Sequence, residues 1–303
     1  MRGIRGAAGV VKGSILKLNR ERIMRCYICG GKKFGKRPGK VRDNSKLSVH
    51  ECHSCGLVFL SSFSHITEKF YQNSKMHDTM PEVEAWCKTT RWDDERRFKF
   101  LASAMENRDL LDFGCGNGGF LVAAKAAAAR AVGLELETRL TPHYESRGLK
   151  VFKALSEVDC KFDLITAFHV VEHLPDPAKE LRRLACFLKK GGHLILEVPS
   201  SDDAMLKLYE SEPFSHFTYW SCHLFLFNRD TLRLLADKAG LKVDYIKGIQ
   251  RYPVSNHLHW LSKGLPGGHQ KWSFLDSPEL HAAYEKQLAS LGLTDTVIAS
   301  FSL

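Results

Sequence analysis

Two cysteine pairs, Cys26-Tyr27-Ile28-Cys29 and Cys52-His53-Ser54-Cys55, have the residue type and spacing of a thiolate metal site. Each pair is followed by a glycine, Gly30 and Gly56, which permits the tight turn that lets backbone N–H groups face two thiolates on one ion. Twenty-two residues separate the pairs, a loop that closes into a zinc ribbon, and Leu57-Val58-Phe59-Leu60 reads as its strand. A redox role would place one pair on the strand-to-helix turn of a thioredoxin-like unit, and neither pair has that setting. Four thiolates close the coordination sphere, so Cys26, Cys29, Cys52 and Cys55 predict a structural or docking Zn2+ rather than a water-activating one. His50 and His53 are read as bystanders.

A second chemistry is written into Leu110-Leu111-Asp112-Phe113-Gly114-Cys115-Gly116-Asn117-Gly118-Gly119-Phe120. Glycines directly after an apolar strand let the backbone turn sharply and approach a ligand, while the following helix presents its N–H end. Glu135 closes the next strand, where a carboxylate can accept both hydroxyls of a ribose. Asp112, Gly114, Gly116 and Glu135 therefore form one cofactor constellation. Gly114, Gly116 and Gly119 also satisfy G-x-G-x-x-G, so spacing alone leaves a nicotinamide dehydrogenase open.

The elements that must position these groups alternate in type. Apolar strands are expected over residues 110–113, 132–134, 149–152, 164–168 and 193–198, with helical stretches over 120–130 and 178–188, the rhythm of an α/β parallel sheet. Residues 294–301 read as an antiparallel strand completing a seven-stranded sheet. Residues 61–105 form a connecting segment, helical in its second half, with Trp86, Trp92, Phe98 and Leu101 as apolar anchors.

The glycine loop, Phe162-Asp163-Leu164-Ile165-Thr166-Ala167-Phe168-His169-Val170-Val171-Glu172-His173-Leu174-Pro175-Asp176-Pro177 and Leu188-Lys189-Lys190-Gly191-Gly192-His193 follow one another in the order seen in class I S-adenosylmethionine-dependent methyltransferases, which the chain resembles over residues 106–248. The resemblance implies a Rossmann-like seven-stranded fold. It implies that Asp112 and the backbone at Gly114, Gly116 and Gly118 hold the methionine end of S-adenosylmethionine, that Glu135 holds the ribose, and that adenine lies near Ala154 and Leu155. The expected organisation is a basic segment over 1–23, a zinc ribbon over 24–60, a helical linker over 61–105, the methyltransferase core over 106–248 with a lid at about 211–227, and an extension over 249–303 that completes the sheet and pocket.

Methyl transfer needs aligned donor and acceptor, exclusion of water, and removal of a proton from an acceptor that is not already nucleophilic. His169, Glu172 and His173 follow the fourth strand at the ligand-binding edge of the sheet and would share one face of a helical turn. An aromatic segment, residues 212–227, can roof the acceptor pocket, with Tyr219, Trp220 and His223 shaping it and His216 or His223 as a base; an aromatic plug in the core is the competing reading. Gln250, Arg251, Asn256, His257 and His269 look like a hydrogen-bonding loop at its mouth. A four-cysteine knot ahead of such a core with H-x-x-E-H resembles bacterial surface-polysaccharide and nucleotide-sugar methyltransferases. The sugar C-methyltransferases among them carry Glu-His where Cys222-His223 stands here, and continue into a further large domain, which leaves O-methylation at least as well supported.

Charge separates the remaining readings. The chain carries +10, but residues 1–46 hold 14 Lys and Arg against 2 acids and leave the rest with 30 basic and 32 acidic residues. A body without basic excess argues against a long nucleic-acid track across the active site, although the loop Lys32-Lys33-Phe34-Gly35-Lys36-Arg37 could touch phosphate. The leading expectation is methyl transfer to a small hydroxylated acceptor, a nucleotide- or lipid-linked sugar. The rivals are an RNA methyltransferase docking through its ribbon, a quinone-type O-methyltransferase whose Glu/His cluster holds a divalent ion, and a non-catalytic docking protein. Nine cysteines, the weak apolar run at residues 7–11 and the absence of an 18-residue apolar stretch point to a cytoplasmic protein without a membrane span. Met24, two residues ahead of Cys26, offers an alternative start; residues 1–23 also have a presequence-like composition.

Overall fold

The computed structural model describes residues 25–66 and 82–303. The expected basic segment over 1–23, Met24 and much of the first half of the linker lie outside the described residues. The cysteine-bearing part contributes strands β1 (Phe34–Lys36), β2 (Val49–Cys52) and β3 (Val58–Leu60), and helix α1 (Val83–Met105) follows. The central run is β4 (Asp109–Phe113), α2 (Gly119–Ala124), β5 (Arg130–Leu134), α3 (Thr141–Ser146), β6 (Val151–Phe152), β7 (Phe162–Phe168), α4 (Pro177–Ala185) and β8 (Leu188–Pro199). After it come α5 (Ala204–Lys207), α6 (Glu212–Thr218), β9 (Phe225–Leu226), α7 (Arg229–Ala239) and β10 (Lys242–Ile249). The C-terminal part holds α8 (Val254–Lys263), α9 (Gly268–Lys271), α10 (Pro278–Leu291) and β11 (Thr296–Ser302).

Seven strands build a mixed sheet in the order β10-β11-β8-β7-β4-β5-β6, with β11 antiparallel to both neighbours, as the sequence predicts. Helices cover both faces, so β4 and β7 are buried almost throughout rather than alternating between buried and exposed residues. The strand order reverses between β4 and β7, and that switch point opens a crevice at the carboxyl ends of the strands. Helix boundaries follow local chemistry. Asp176 caps α4 ahead of Pro177, while α7 begins with an Asn228–Thr231 capping box and ends on Gly240 in the left-handed region.

Two expectations need correction. The helix expected over 120–130 stops at Ala124. Beyond it the alanines form tight turns, with Ala126 and Ala127 donating to carbonyls three residues back, and Asn107 N donates to Ala127 O at 3.0 Å. Returning the chain to β5 outweighs alanine's helical preference. Trp92, expected as an apolar anchor, is 60% exposed, whereas Leu101 is buried.

The small sheet has the order β1-β2-β3-β9 and is antiparallel throughout. Its fourth strand comes from the far end of the core, with Val58 opposite Leu226 and Phe59 opposite Phe225. Tyr27 and Phe63 pack on Phe225 with ring centroids at 5.2 and 5.1 Å. Tyr27 Oη donates to the Asp176 carboxylate and accepts from Ala178 N. Val49, Val58 and Leu60 belong to the same buried cluster as Leu181, Leu232 and Phe301, so the small sheet and the α4–α7 face share one core. Each such fully buried Val, Leu or Phe side chain contributes about 1.5–3 kcal/mol.

Candidate active site

The switch-point crevice encloses about 400 Å³, within the range of small-molecule sites. Its floor is the loop after β4. Gly114 adopts φ +74°, and a Cβ there would come within 2.5 Å of Val170, so both backbone angle and space exclude a side chain. Gly114 N and Cys115 N donate to Leu134 O at 2.8 and 3.2 Å, which ties the loop to the end of β5. Asn117 Oδ1 accepts from Gly119 N at 2.9 Å, and Asn117 Nδ2 donates to Thr90 Oγ1 on α1. Tyr144 Oη donates to Gly116 O.

Asp112 and Glu135 stand on either side of this loop. Asp112 is buried and accepts from Thr166 Oγ1 at 2.7 Å; burial pushes its carboxyl up to about 7. Glu135 accepts from Gly116 N and Glu137 N, both at 3.0 Å, and burial raises its carboxyl too. Asp112, Gly114, Gly116 and Glu135 all line the crevice. Gly118 caps α2 just below, while Ala154 and Leu155 lie outside the lining and Leu155 is packed in the core.

The roof comes from α1, which sequence reasoning did not assign to the site, and from the chain after β10, where Arg251 was expected at the pocket mouth. Trp86, Thr90, Asp93, Asp94 and Arg97 line the crevice from α1, and Arg251 lines it from the opposite side. Glu197 is fully buried and receives Arg96 Nη2 at 2.9 Å and Arg97 Nη2 at 2.7 Å. Burial would raise its carboxyl, but Arg97, His169 and Arg96 hold it well below the carboxylate range. Arg251 pairs with Asp93 through Nε at 3.0 Å and also through Nη2. Burial pushes Asp94 up to about 6 against the pull of Arg97. The signal in the sequence was Asp93-Asp94-Glu95-Arg96-Arg97, a charged block too dense to be a solvated helix face alone.

His169 and His173 also line the crevice, and Glu172 and His223 stand behind them. His169 sits at φ +53°, and its ring is suspended between Glu172 (Nδ1, 3.2 Å), Glu197 (Nε2, 3.2 Å) and Arg251 Nη1 (3.1 Å). Residues 171–173 form a single 3-10 turn rather than an α-helical one. His173 Nδ1 lies 2.8 Å from Cys222 O, and its ring centroid is 5.0 Å from that of His223. Burial together with His173 pushes His223 down to about 3, so its ring is neutral. Burial opposes but His169 and His173 lower the Glu172 carboxyl. Glu172 Oε2 and His223 Nδ1 are buried without a hydrogen-bond partner, and one ligand atom each from Glu172, His173 and His223 lie within 4.8 Å of one another. His216 instead faces Glu212 at 3.9 Å, and Tyr219 is buried beside Gly39; neither lines the crevice. The segment expected to be a loop from Gln250 onward turns into α8 at Val254.

The four cysteines cluster, with Cys26 Sγ–Cys55 Sγ and Cys29 Sγ–Cys52 Sγ at 3.5 Å and all four Sγ atoms within 4.8 Å. None is in a disulfide. Gly30 N donates to Cys26 O and Gly56 N to Cys52 O, each glycine in the left-handed region, so the two turns are alike. Zinc–sulfur bonds of about 2.3 Å in a tetrahedron require sulfur separations near this range.

Residues 87–246 match the family model of a methyltransferase domain. The chain belongs to this methyltransferase family. The methyltransferase is 28% identical over 126 residues to the ubiquinone biosynthesis O-methyltransferase of Bordetella avium, covering 33% of this chain and 52% of that protein. It is 23% identical over 176 residues to the enzyme of the same name from Coxiella burnetii, covering 53% and 75%. The chain thus spans about half the length of the first of these relatives. A solved S-adenosylmethionine-dependent methyltransferase from Thermotoga maritima aligns at 21% identity over 73% of this chain and 94% of that one, with a TM-score of 0.48. Membership makes S-adenosylmethionine the methyl donor, so the glycine spacing does not serve a nicotinamide. Among the described residues no helix is long and apolar enough to cross a membrane.

Proposed function

We propose that the enzyme methylates an oxygen of a small hydroxylated acceptor, with Asp112 and the backbone at Gly114, Gly116 and Gly118 holding the methionine end of the donor and Glu135 the ribose. Bound S-adenosylmethionine supplies an electrophilic methyl carbon on a sulfonium. The observation that carries the reading is that His169 and His173 open onto the same crevice as the glycine loop, backed by buried Glu172. His173 takes the acceptor proton and the buried Glu172 carboxylate beside it stabilises the imidazolium that forms, while His169, with both ring nitrogens engaged, holds Glu172 in place. Phe168, Phe120 and Trp86 exclude water around the reacting atoms. The ribbon cysteines fit a zinc ion, which would crosslink residues 26–55.

Two acceptor classes remain in play. A nucleotide- or lipid-linked sugar follows from the resemblance of the knot, core and histidine arrangement to polysaccharide-pathway enzymes. A phenolic hydroxyl is favoured by the likeness to ubiquinone biosynthesis O-methyltransferases and by the unpartnered Glu172 Oε2 and His223 Nδ1, whose geometry with His173 suits a divalent ion that would lower the pKa of a bound hydroxyl. Methyl transfer from radiolabelled S-adenosylmethionine to nucleotide hexoses and to catechols, each with and without Mg2+ or Zn2+ after chelation, tests both. Transfer to neither class by protein that binds S-adenosylhomocysteine would overturn the acceptor reading.

A further inference from the structure

None of the described residues 25–66 lines the crevice, yet the cysteine-bearing sheet holds the segment that carries His223. Asp43, in the loop between the two cysteine pairs, accepts from Ser221 N at 2.9 Å and from Ser221 Oγ at 2.6 Å. Arg42 N donates to Tyr219 O at 2.9 Å, and the Arg42 guanidinium lies 4.2 Å above the Trp220 ring. The Trp220 ring in turn packs at 5.5 Å on His223. Just beyond His223, Leu60 N donates to Leu224 O and β3 pairs with β9. From the other side the histidine turn grips the same residues: Leu224 N donates to Glu172 O at 2.9 Å, and His173 Nδ1 meets Cys222 O. Residues 219–226 are thus held between the ribbon and the Glu172–His173 turn.

We propose that Asp43 and Arg42 are positioning residues for the acceptor side of the active site: the ribbon acts as a clamp that fixes His223 against Glu172 and His173, while the cofactor side, built from β4, β5 and α1, stands free of it. The inference rests on the reading that this cluster serves the acceptor. Its chemistry is specific, because a carboxylate taking both donors of Ser221 fixes the orientation of one residue two positions before His223. Loss of that pair leaves Ser221 held only through its carbonyl, which His65 Nε2 meets at 2.7 Å, while its neighbours keep their bonds to Arg42, Leu60, Glu172 and His173; misplacement of a catalytic group by about 1 Å is enough to cost on the order of a hundredfold in rate.

The test compares full-length Asp43→Ala and Asp43→Asn with wild type, all zinc-loaded. Three quantities are read: S-adenosylhomocysteine affinity by calorimetry, the rate of His223 modification by diethyl pyrocarbonate with peptide mass spectrometry, and kcat against KM on whichever of a catechol or a nucleotide hexose is methylated. Asp43→Ala should leave S-adenosylhomocysteine affinity within twofold, speed His223 modification at least tenfold and lower kcat at least tenfold. Asp43→Asn, which keeps one acceptor oxygen, should recover part of both changes. Unchanged His223 reactivity in folded Asp43→Ala overturns the clamp, as does a loss of S-adenosylhomocysteine affinity equal to the loss in kcat. A His223→Ala variant separates the two ideas. If it turns over normally, the acceptor reading of the cluster fails, and the modification rate alone still decides whether Asp43 holds the segment.

Discussion

Asp112 gives a prediction in which pH, ligand affinity and stability must move together. Its carboxyl is 3% exposed, has Thr166 Oγ1 as a neutral donor, and is pushed up to about 7 by burial, with Asp94 and Glu135 adding to the rise and Arg97 opposing it. If it receives the methionine ammonium, the bound state favours the carboxylate, so binding below pH 7 must expel a proton. Affinity for S-adenosylhomocysteine should then fall about tenfold for each unit below 7, or roughly 1.4 kcal/mol per unit. Asp112→Asn removes most of this slope and, at pH 8, a charge-assisted hydrogen bond of about 1.5–3 kcal/mol, which is about 10- to 150-fold in affinity. Stability runs the other way. The folded carboxyl titrates higher than the unfolded one, near 4, so the ligand-free fold holds the extra proton between about pH 4 and 7 and loses stability as pH rises through that window. The neutral amide should therefore raise the ligand-free melting temperature at pH 8 while weakening binding. Calorimetric titration from pH 5.5 to 8.5, paired with thermal melts, checks both signs. A wild-type affinity flat across that range, or an Asp112→Asn variant that binds like wild type, refutes the argument.

Three further outcomes follow from the same geometry. Glu135→Ala should release Gly116 N and Glu137 N and weaken S-adenosylhomocysteine by about 1–3 kcal/mol in the same calorimeter. Cys52→Ser should abolish bound zinc by elemental analysis and make residues 34–60 exchange amide hydrogens faster, while S-adenosylhomocysteine still binds. Arg251→Ala strips the half-buried Asp93 of its main partner but leaves it Arg96 at 3.1 Å, and should cost about 1.5–3 kcal/mol in urea unfolding, whereas Arg251→Lys should recover part of that loss.

What the sequence revealed was local. The glycine loop, the ends of β4 and β5 and the two cysteine pairs each declare themselves within a dozen residues, because strand period, turn chemistry and ligand spacing are short-range properties. The roof of the crevice was legible only in part. Arg251 stood in a loop expected at the pocket mouth and residues 93–97 are a dense charged block, but they come from segments far apart in the chain, and neither neighbourhood announces that these charges meet around Glu197 and His169. The alanine-rich stretch after Phe120 misleads for the opposite reason. Its local preference is strong, but the sheet needs the chain back at Arg130. The union of β3 with β9 was equally hidden, since a two-residue strand has no pattern of its own.

That union bears on how such a protein could acquire or shed its cysteine-bearing part. A strand contributed by the body means that the appendage has no clean seam. Cutting the chain before α1 would uncover Phe225, Leu226 and Tyr219 together with the free edge of β9, an apolar surface beside unsatisfied backbone groups that invites self-association. Shuffling this piece onto another catalytic body would demand a matching edge and a matching apolar floor in the recipient. A lineage that lost the cysteines would therefore be expected to rebuild residues 217–227 as well.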